Sequence, residues 1–121
     1  MAAPMISVID DDESMRLALA GLVRLLGFNV ETYGSAEEFL ESGGRNATNC
    51  IITDIHMPGL SGIDLKRWLD DHENSAPVIM ITGRSEKHLH EEARQCGAVC
   101  LLKKPFDEET LLACLKQARV V

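Results

Sequence analysis

Asp54 stands at the end of an apolar run, Ile51-Ile52-Thr53-Asp54-Ile55-His56-Met57-Pro58-Gly59, that breaks at once into a turn. Open parallel sheets bind ligands in the crevice beyond the carboxyl ends of their strands, so a carboxylate placed there is expected to face that crevice. A first apolar run, Met5 to Ile9, leads directly into Asp10-Asp11-Asp12-Glu13. The plain reading of such a run is a solvated loop that caps the helix after it. In a right-handed parallel sheet, however, strands one and three can be neighbours, and Asp10 and Asp11 then leave the same edge as Asp54.

Carboxylates a few ångströms apart repel, and each raises the pKa of the next unless a cation intervenes. A hard divalent cation, Mg2+ or Mn2+, answers that need, because Mg2+ takes oxygen ligands and is typically held by one or two carboxylates, waters and a phosphate-bearing partner. The run Val78-Ile79-Met80-Ile81-Thr82-Gly83 brings a hydroxyl to the same edge, and Thr82 there can hydrogen-bond a phosphoryl oxygen. A strand-end Thr is also a common turn or cap residue. Gly83 is expected to let other groups approach closely. In Leu101-Leu102-Lys103-Lys104-Pro105 two lysines stand at the end of a fifth run, where both also read as solvated charges. A cis Lys104-Pro105 peptide, which proline permits at modest cost, would turn Lys104 toward the crevice. An ammonium there lowers the pKa of Asp54 and binds a phosphoryl oxygen as a point charge.

The elements that must position these groups alternate between short β-rich runs and helical patterns, the signature of repeated βα units around a parallel sheet. Strands are expected at Met5 to Ile9, Asn29 to Thr32, Cys50 to Thr53, Val78 to Ile81 and Val99 to Leu102. The first, third and fourth are nearly continuous in apolar residues, as central strands covered on both faces are. Asn29 to Thr32 is short and mixed, which suggests an edge. Met15, Leu19, Leu22 and Leu26 share one helical face that Gly27 brings to a stop. Ser35 with Glu38 matches a capping box for a helix ending near Gly43-Gly44, and Ser61 with Asp64 resembles the same start before a stripe of Leu65, Trp68 and Leu69. A weakly amphipathic fourth helix is expected from about Ser85 to Cys96, with Leu89, Ala93 and Cys96 on one side and Gly97 at its end. The fifth opens on Asp107 and buries Leu111, Leu115 and Ala118. The fold class expected is α/β, a doubly wound five-stranded parallel sheet.

Length and composition fit one folded domain: 121 residues, 45% hydrophobic and 26% charged. Twelve basic against nineteen acidic residues leave a net charge of -7, which excludes the basic footprint of phosphate-backbone binding, so this domain alone is not expected to bind nucleic acid. The start, Met1-Ala2-Ala3-Pro4-Met5, has no basic segment or long apolar segment of a secretory signal, and no apolar run approaches membrane-spanning length. The expected compartment is the cytoplasm. Cys50, Cys96, Cys100 and Cys114 each lie in apolar stretches and are expected to be structural thiols. Cys96 and Cys100 lack a second ligand pair at zinc-site spacing, and His88 and His90 are read as solvated.

Val8-Ile9-Asp10-Asp11-Asp12, Asp54 to Gly62, Ile81-Thr82-Gly83 and Lys104-Pro105-Phe106 stand in the order and rough spacing of the receiver domain of two-component response regulators, which the chain resembles over almost its full length. Thr53 to Gly62 and Lys104-Pro105 look most like the nitrogen-fixation regulator subgroup. The resemblance implies a flavodoxin-like (βα)5 fold with strand order 2-1-3-4-5 over residues 1-121. It also implies that a sensor histidine kinase phosphorylates Asp54 to an acyl phosphate. Asp11, Asp54 and the backbone carbonyl of His56 would ligate Mg2+, with Asp10 acting through a metal-bound water. Thr82 and Lys104 would hold the phosphoryl oxygens. The exposed His56 imidazole would tune water access to the acyl phosphate, and Met57-Pro58-Gly59 would shape the loop.

Output would run through the surface of the fourth helix, fifth strand and fifth helix, by homodimerisation when phosphorylated and through a C-terminal helix-turn-helix DNA-binding domain. The ending Gln117-Ala118-Arg119-Val120-Val121 falls where a fifth helix would merge into a linker, which favours a domain cut from a longer chain. One departure stands out: the family often carries Tyr or Phe three positions before the lysine, and here that residue is Leu101. Thr82 and the loop before the fourth helix would then carry more of the switch. Two other readings stay open. One is a pseudo-receiver that binds a partner without phosphorylation. The other is a haloacid-dehalogenase-like phosphatase using Asp10 and Asp12.

Overall fold

Strand and helix alternate along the whole chain in the computed structural model, which describes residues 3-83 and 87-120. The order is β1 (Met5–Ile9), α1 (Glu13–Leu25), β2 (Asn29–Tyr33), α2 (Ala36–Ser42), a 3-10 turn (Gly44–Asn46), β3 (Cys50–Asp54), α3 (Gly62–Asp71), β4 (Val78–Thr82), α4 (Lys87–Gln95), β5 (Cys100–Lys103) and α5 (Glu108–Gln117). The strands form one sheet in the order β2-β1-β3-β4-β5, and every neighbouring pair is parallel. This is the expected doubly wound architecture, with the reversal of strand order beside β1 and β3. In such sheets the reversal opens the ligand crevice.

Continuous apolar strands produce it because both faces of the sheet are covered. Every residue of β3 and β4 is buried, as are the last four of β1. Successive side chains point to opposite faces. Ile6, Val8, Ile52, Ile79 and Ile81 therefore join a core with Leu19 and Val23 of α1 and Leu111 and Leu115 of α5. Ile9, Ile51, Val78 and Met80 face Phe39 of α2, Leu65 and Leu69 of α3, and Ala93 of α4. Each large aliphatic side chain so buried contributes about 1.5–3 kcal/mol of transfer free energy. β2 pairs with β1 alone and alternates exposed with half-buried residues before the buried Tyr33, as an edge strand does.

The helix starts follow their caps. Asp12 accepts from the amides of Ser14 and Met15, so the third acidic residue of the run caps α1 as the plain reading has it. Ser61 and Asp64 close a complete capping box on α3. At α2 the box closes differently: Ser35 accepts from the Glu38 amide, but the Glu38 carboxylate reaches one residue further back to the Gly34 amide. Gly27, Gly43 and Gly97 stand at positive φ just beyond α1, α2 and α4, where a residue with Cβ is strained. The proposed start of the fourth helix at Ser85 lies outside the described residues.

Two expectations change. Cys100 and Cys114 form a disulfide that ties β5 to α5, with Cα atoms 5.7 Å apart, because α5 packs back on β5 and brings the buried Cys114 against the half-buried Cys100. Cys50 and Cys96 remain thiols, and burial pushes the Cys50 thiol up to about 12, which makes it unreactive. His90 is half-buried rather than solvated. Trp68 is half-buried on α3, stacked on His72 at 3.6 Å with the Arg45 guanidinium 5.1 Å from its ring centre. Among the described residues no helix is long and apolar enough to cross a membrane.

Candidate functional site

Asp54 is the last residue of β3, and its register partner on β4 is Ile81, one residue before Thr82. Asp10 follows the last residue of β1, where its amide donates to the Tyr33 carbonyl and holds the turn against β2. Lys104 follows β5, and its amide donates to the carbonyl of Thr82 at 2.9 Å. The parallel register thus gathers Asp10, Asp54, Thr82 and Lys104 at one edge of the sheet, and a cis peptide joins Lys104 to Pro105. Thr82 and Asp10 are fully buried, Asp54 nearly so, and Asp11 is exposed.

Lys104 Nζ donates to Asp54 Oδ2 at 3.0 Å and lies 3.8 Å from Asp10 Oδ2. The other oxygen of Asp54, Oδ1, accepts from the His56 amide at 3.0 Å, and Asp10 Oδ1 accepts from the Asp12 amide at 2.9 Å. The Arg16 guanidinium donates to the Asp10 carbonyl and fixes the turn from α1. Asp10 Oδ2 is buried with no hydrogen-bond partner among the described residues. Carboxylate oxygens of Asp10, Asp11 and Asp54 all lie within 4.8 Å of one another. An orphaned buried oxygen beside two further carboxylates is a hard-cation donor set, so the residues fit Mg2+.

The charges respond accordingly. Burial pushes the Asp10 carboxyl above its ordinary value against the pull of the Asp12 amide, and the nearby charge of Asp54 pushes it the same way. Burial pulls the Lys104 ammonium down, but the hydrogen bond and charge of Asp54, with Asp10 behind it, outweigh that and hold it above the ordinary lysine range. One ammonium is therefore shared by two buried carboxylates, and a third carboxylate stands at the rim.

The loop from His56 to Ser61 closes the site on the α3 side. Its far end is fixed where the Gly62 amide donates to the Ile55 carbonyl at 3.0 Å. A Cβ at Gly62 would lie 2.6 Å from the Asp54 carbonyl oxygen, so only glycine lets α3 start this close to β3. Sequence reasoning passed over Gly62, although its place directly after an N-cap is a signal of close approach. Gly83 shows the reverse, since a Cβ there would meet Lys104 Cδ at an ordinary 3.8 Å. The His56 side chain is half-buried rather than exposed, and its Nε2 is buried without a partner among the described residues. Leu101 is half-buried on β5 and packs on the α2–α4 side of the sheet.

An acidic pocket, a buried hydroxyl and a paired lysine at the carboxyl edge of a doubly wound parallel sheet define a signalling switch of the two-component type. The family of the response regulator receiver domain matches residues 6–116, and the chain belongs to that family. The response regulator protein TodT of Pseudomonas putida is 39% identical over 116 residues, covering 96% of this chain and 51% of that protein. The transcriptional regulatory protein FixJ of Bradyrhizobium diazoefficiens is 36% identical over 113 residues, covering 93% of this chain and 55% of that one. The chain thus spans about half the length of these relatives. Among solved structures, FixJ-N matches with a TM-score of 0.88 at 34% identity, covering 98% of this chain and 94% of that one. The chemotaxis protein CheY4 of Vibrio cholerae matches at 0.86 and 28% identity, covering 99% and 100%. Membership of this family sets aside the haloacid-dehalogenase-like reading, and Asp12, the acid that reading needs, is engaged as the cap of α1.

Proposed function

We propose that Asp54 is the phosphoacceptor of this receiver and that a sensor histidine kinase is its phosphodonor. The single observation that supports this most is the Asp54 carboxylate itself, nearly buried, held on one oxygen by Lys104 and on the other by the His56 amide. A carboxylate oxygen of Asp54 attacks phosphorus, the nitrogen-to-phosphorus bond of a phosphohistidine breaks, and the imidazole leaves with its electron pair and takes up a proton. Lys104 passes from the Asp54 carboxylate to the new phosphoryl oxygens, and the Thr82 hydroxyl donates to them from the end of β4. Asp11, Asp54 and the His56 carbonyl would hold Mg2+, with Asp10 acting through water, and the ion when bound supplies charge neutralisation for the incoming phosphoryl group.

The domain acts as a switch, with slow self-phosphorylation and hydrolysis as its only turnover. Output through the α4, β5 and α5 surface, by pairing of two copies or by an attached DNA-binding domain in a longer cytoplasmic protein, is part of the same proposal. The name of the half-matching FixJ, a transcriptional regulatory protein, supports the transcriptional part of that output. The test is intact-mass analysis after incubation with Mg2+ and acetyl phosphate. A gain of one phosphoryl group in the wild type and none in Asp54→Asn is expected. A gain that survives Asp54→Asn rejects the site, and partner binding with no gain at all favours the pseudo-receiver, the reading that Leu101 keeps in view.

A further inference from the structure

The loop that carries the His56 carbonyl is fastened at both ends by its own neighbourhood. The His56 amide is bound by Asp54, and the far end by the Gly62 amide together with the Ser61 and Asp64 capping box. Among the described residues one hydrogen bond ties the stretch between them to another element. The Leu60 amide donates to Glu37 Oε2 at 3.1 Å, across 23 residues of sequence, and Glu37 belongs to the first turn of α2. The carboxylate fills the space beside Gly59: a Cβ there would overlap Glu37 Oε2 and stand 3.1 Å from Cδ. Gly59 itself has φ of 76°. Glycine is therefore required there twice, once for the backbone and once for the carboxylate that rests on it.

The second oxygen points to a role beyond stability. Glu37 Oε1 is buried and has no hydrogen-bond partner among the described residues. A buried acceptor without a donor costs folding free energy, and a chain that keeps one commonly does so at a functional site. We infer that Glu37 is a positioning residue, which through the Leu60 amide and the Gly59 backbone holds the loop that carries the His56 carbonyl, the proposed Mg2+ ligand. This rests on the metal-ligand reading under Proposed function. Partners that orient a metal's direct ligands, without touching the ion, typically change affinity by 10–100-fold when removed.

The test is calorimetric Mg2+ titration of the 121-residue chain, with amide exchange at Leu60 followed by NMR in metal-free buffer. Glu37→Ala is expected to weaken Mg2+ about tenfold, the low end of that range, and to speed Leu60 exchange. Glu37→Gln loses the charge but keeps an acceptor, and is expected to restore both within about twofold. Gly59→Ala displaces the carboxylate and is expected to weaken Mg2+ as Glu37→Ala does, while adding Gly59→Ala to Glu37→Ala costs much less than it does alone. The left-handed backbone is common to both backgrounds and cancels in that comparison. Wild-type protein that binds Mg2+ beside a Glu37→Ala variant that binds equally well overturns the inference and leaves the proposed function standing. Glu37→Gln as weak as Glu37→Ala overturns it too, since charge alone would then be the cause. Wild-type protein that does not bind Mg2+ removes the metal reading and this inference with it.

Discussion

Lys104 is the only cation placed between Asp10 and Asp54 among the described residues, and its removal exposes what each carboxylate costs. In Lys104→Met, two buried carboxylates face one another with no ammonium between them. The expected loss in metal-free buffer is about 1–3 kcal/mol, read as a lower denaturant midpoint with an unchanged slope. In an Asp54→Asn background the same substitution should cost clearly less, because the charge it strands is gone. The pH dependence follows from the direction of the shift. Lys104 titrates above its ordinary 10.5 in the folded protein, so its contribution is complete below that value and is lost as pH rises through the folded pKa. The stability gap between wild type and Lys104→Met should be flat through neutral pH and narrow only in strong alkali. A gap that already closes near pH 8 would contradict the pairing.

Helix α5 is held at its start by a cap and along its length by a covalent bond. Asp107 Oδ1 accepts from the Thr110 hydroxyl at 2.7 Å and the Thr110 amide at 2.8 Å, and these bonds hold its pKa below the ordinary 3.8. A depressed carboxyl stabilises above its unfolded pKa and loses that contribution as pH falls through the folded one. Asp107→Ala should therefore lower the melting temperature at pH 7 and change little at pH 2. The Cys100–Cys114 bond closes a loop with a sequence separation of 14, which by loop entropy is worth about 3 kcal/mol. Reduction should lower the melting temperature by on the order of 10 °C, while a Cys100→Ser, Cys114→Ser variant is insensitive to reductant. Periodicity and capping residues made these helices and their order legible in the sequence, and apolar runs did the same for the central strands. The Cys100–Cys114 pair was not legible, because each cysteine reads as a small hydrophobe until β5 and α5 are packed together. Glu37 was equally hidden, being one more acidic residue in a first helical turn until the tertiary fold lays it on Gly59. Asp10, Asp54, Thr82 and Lys104 could be read because strand ends in a parallel sheet converge by topology alone.

Across the whole molecule the charge balance and the site act in the same direction. A net charge of -7 is spread over a small domain in which one ammonium pairs with two of three clustered carboxylates, so negative charge at this edge exceeds what Lys104 compensates. A divalent cation that binds the folded chain and not the unfolded one stabilises it by mass action, by about 2.7 kcal/mol at a concentration one hundred times Kd. For a domain of this size that corresponds to a rise in melting temperature on the order of 10 °C. The rise should keep growing with the logarithm of Mg2+ concentration above Kd, which separates a bound ion from general screening, since screening of exposed charges is reproduced by monovalent salt at matched ionic strength. Asp11→Asn should lose most of the Mg2+-dependent rise while leaving the metal-free melting temperature unchanged or higher, because Asp11 is exposed and its charge only adds to the repulsion. Scanning calorimetry at fixed ionic strength, with Mg2+ exchanged for Na+, measures both. Equal melting temperatures in the two salts would show that the acidic edge is balanced by Lys104 alone and that the domain folds without regard to the ion.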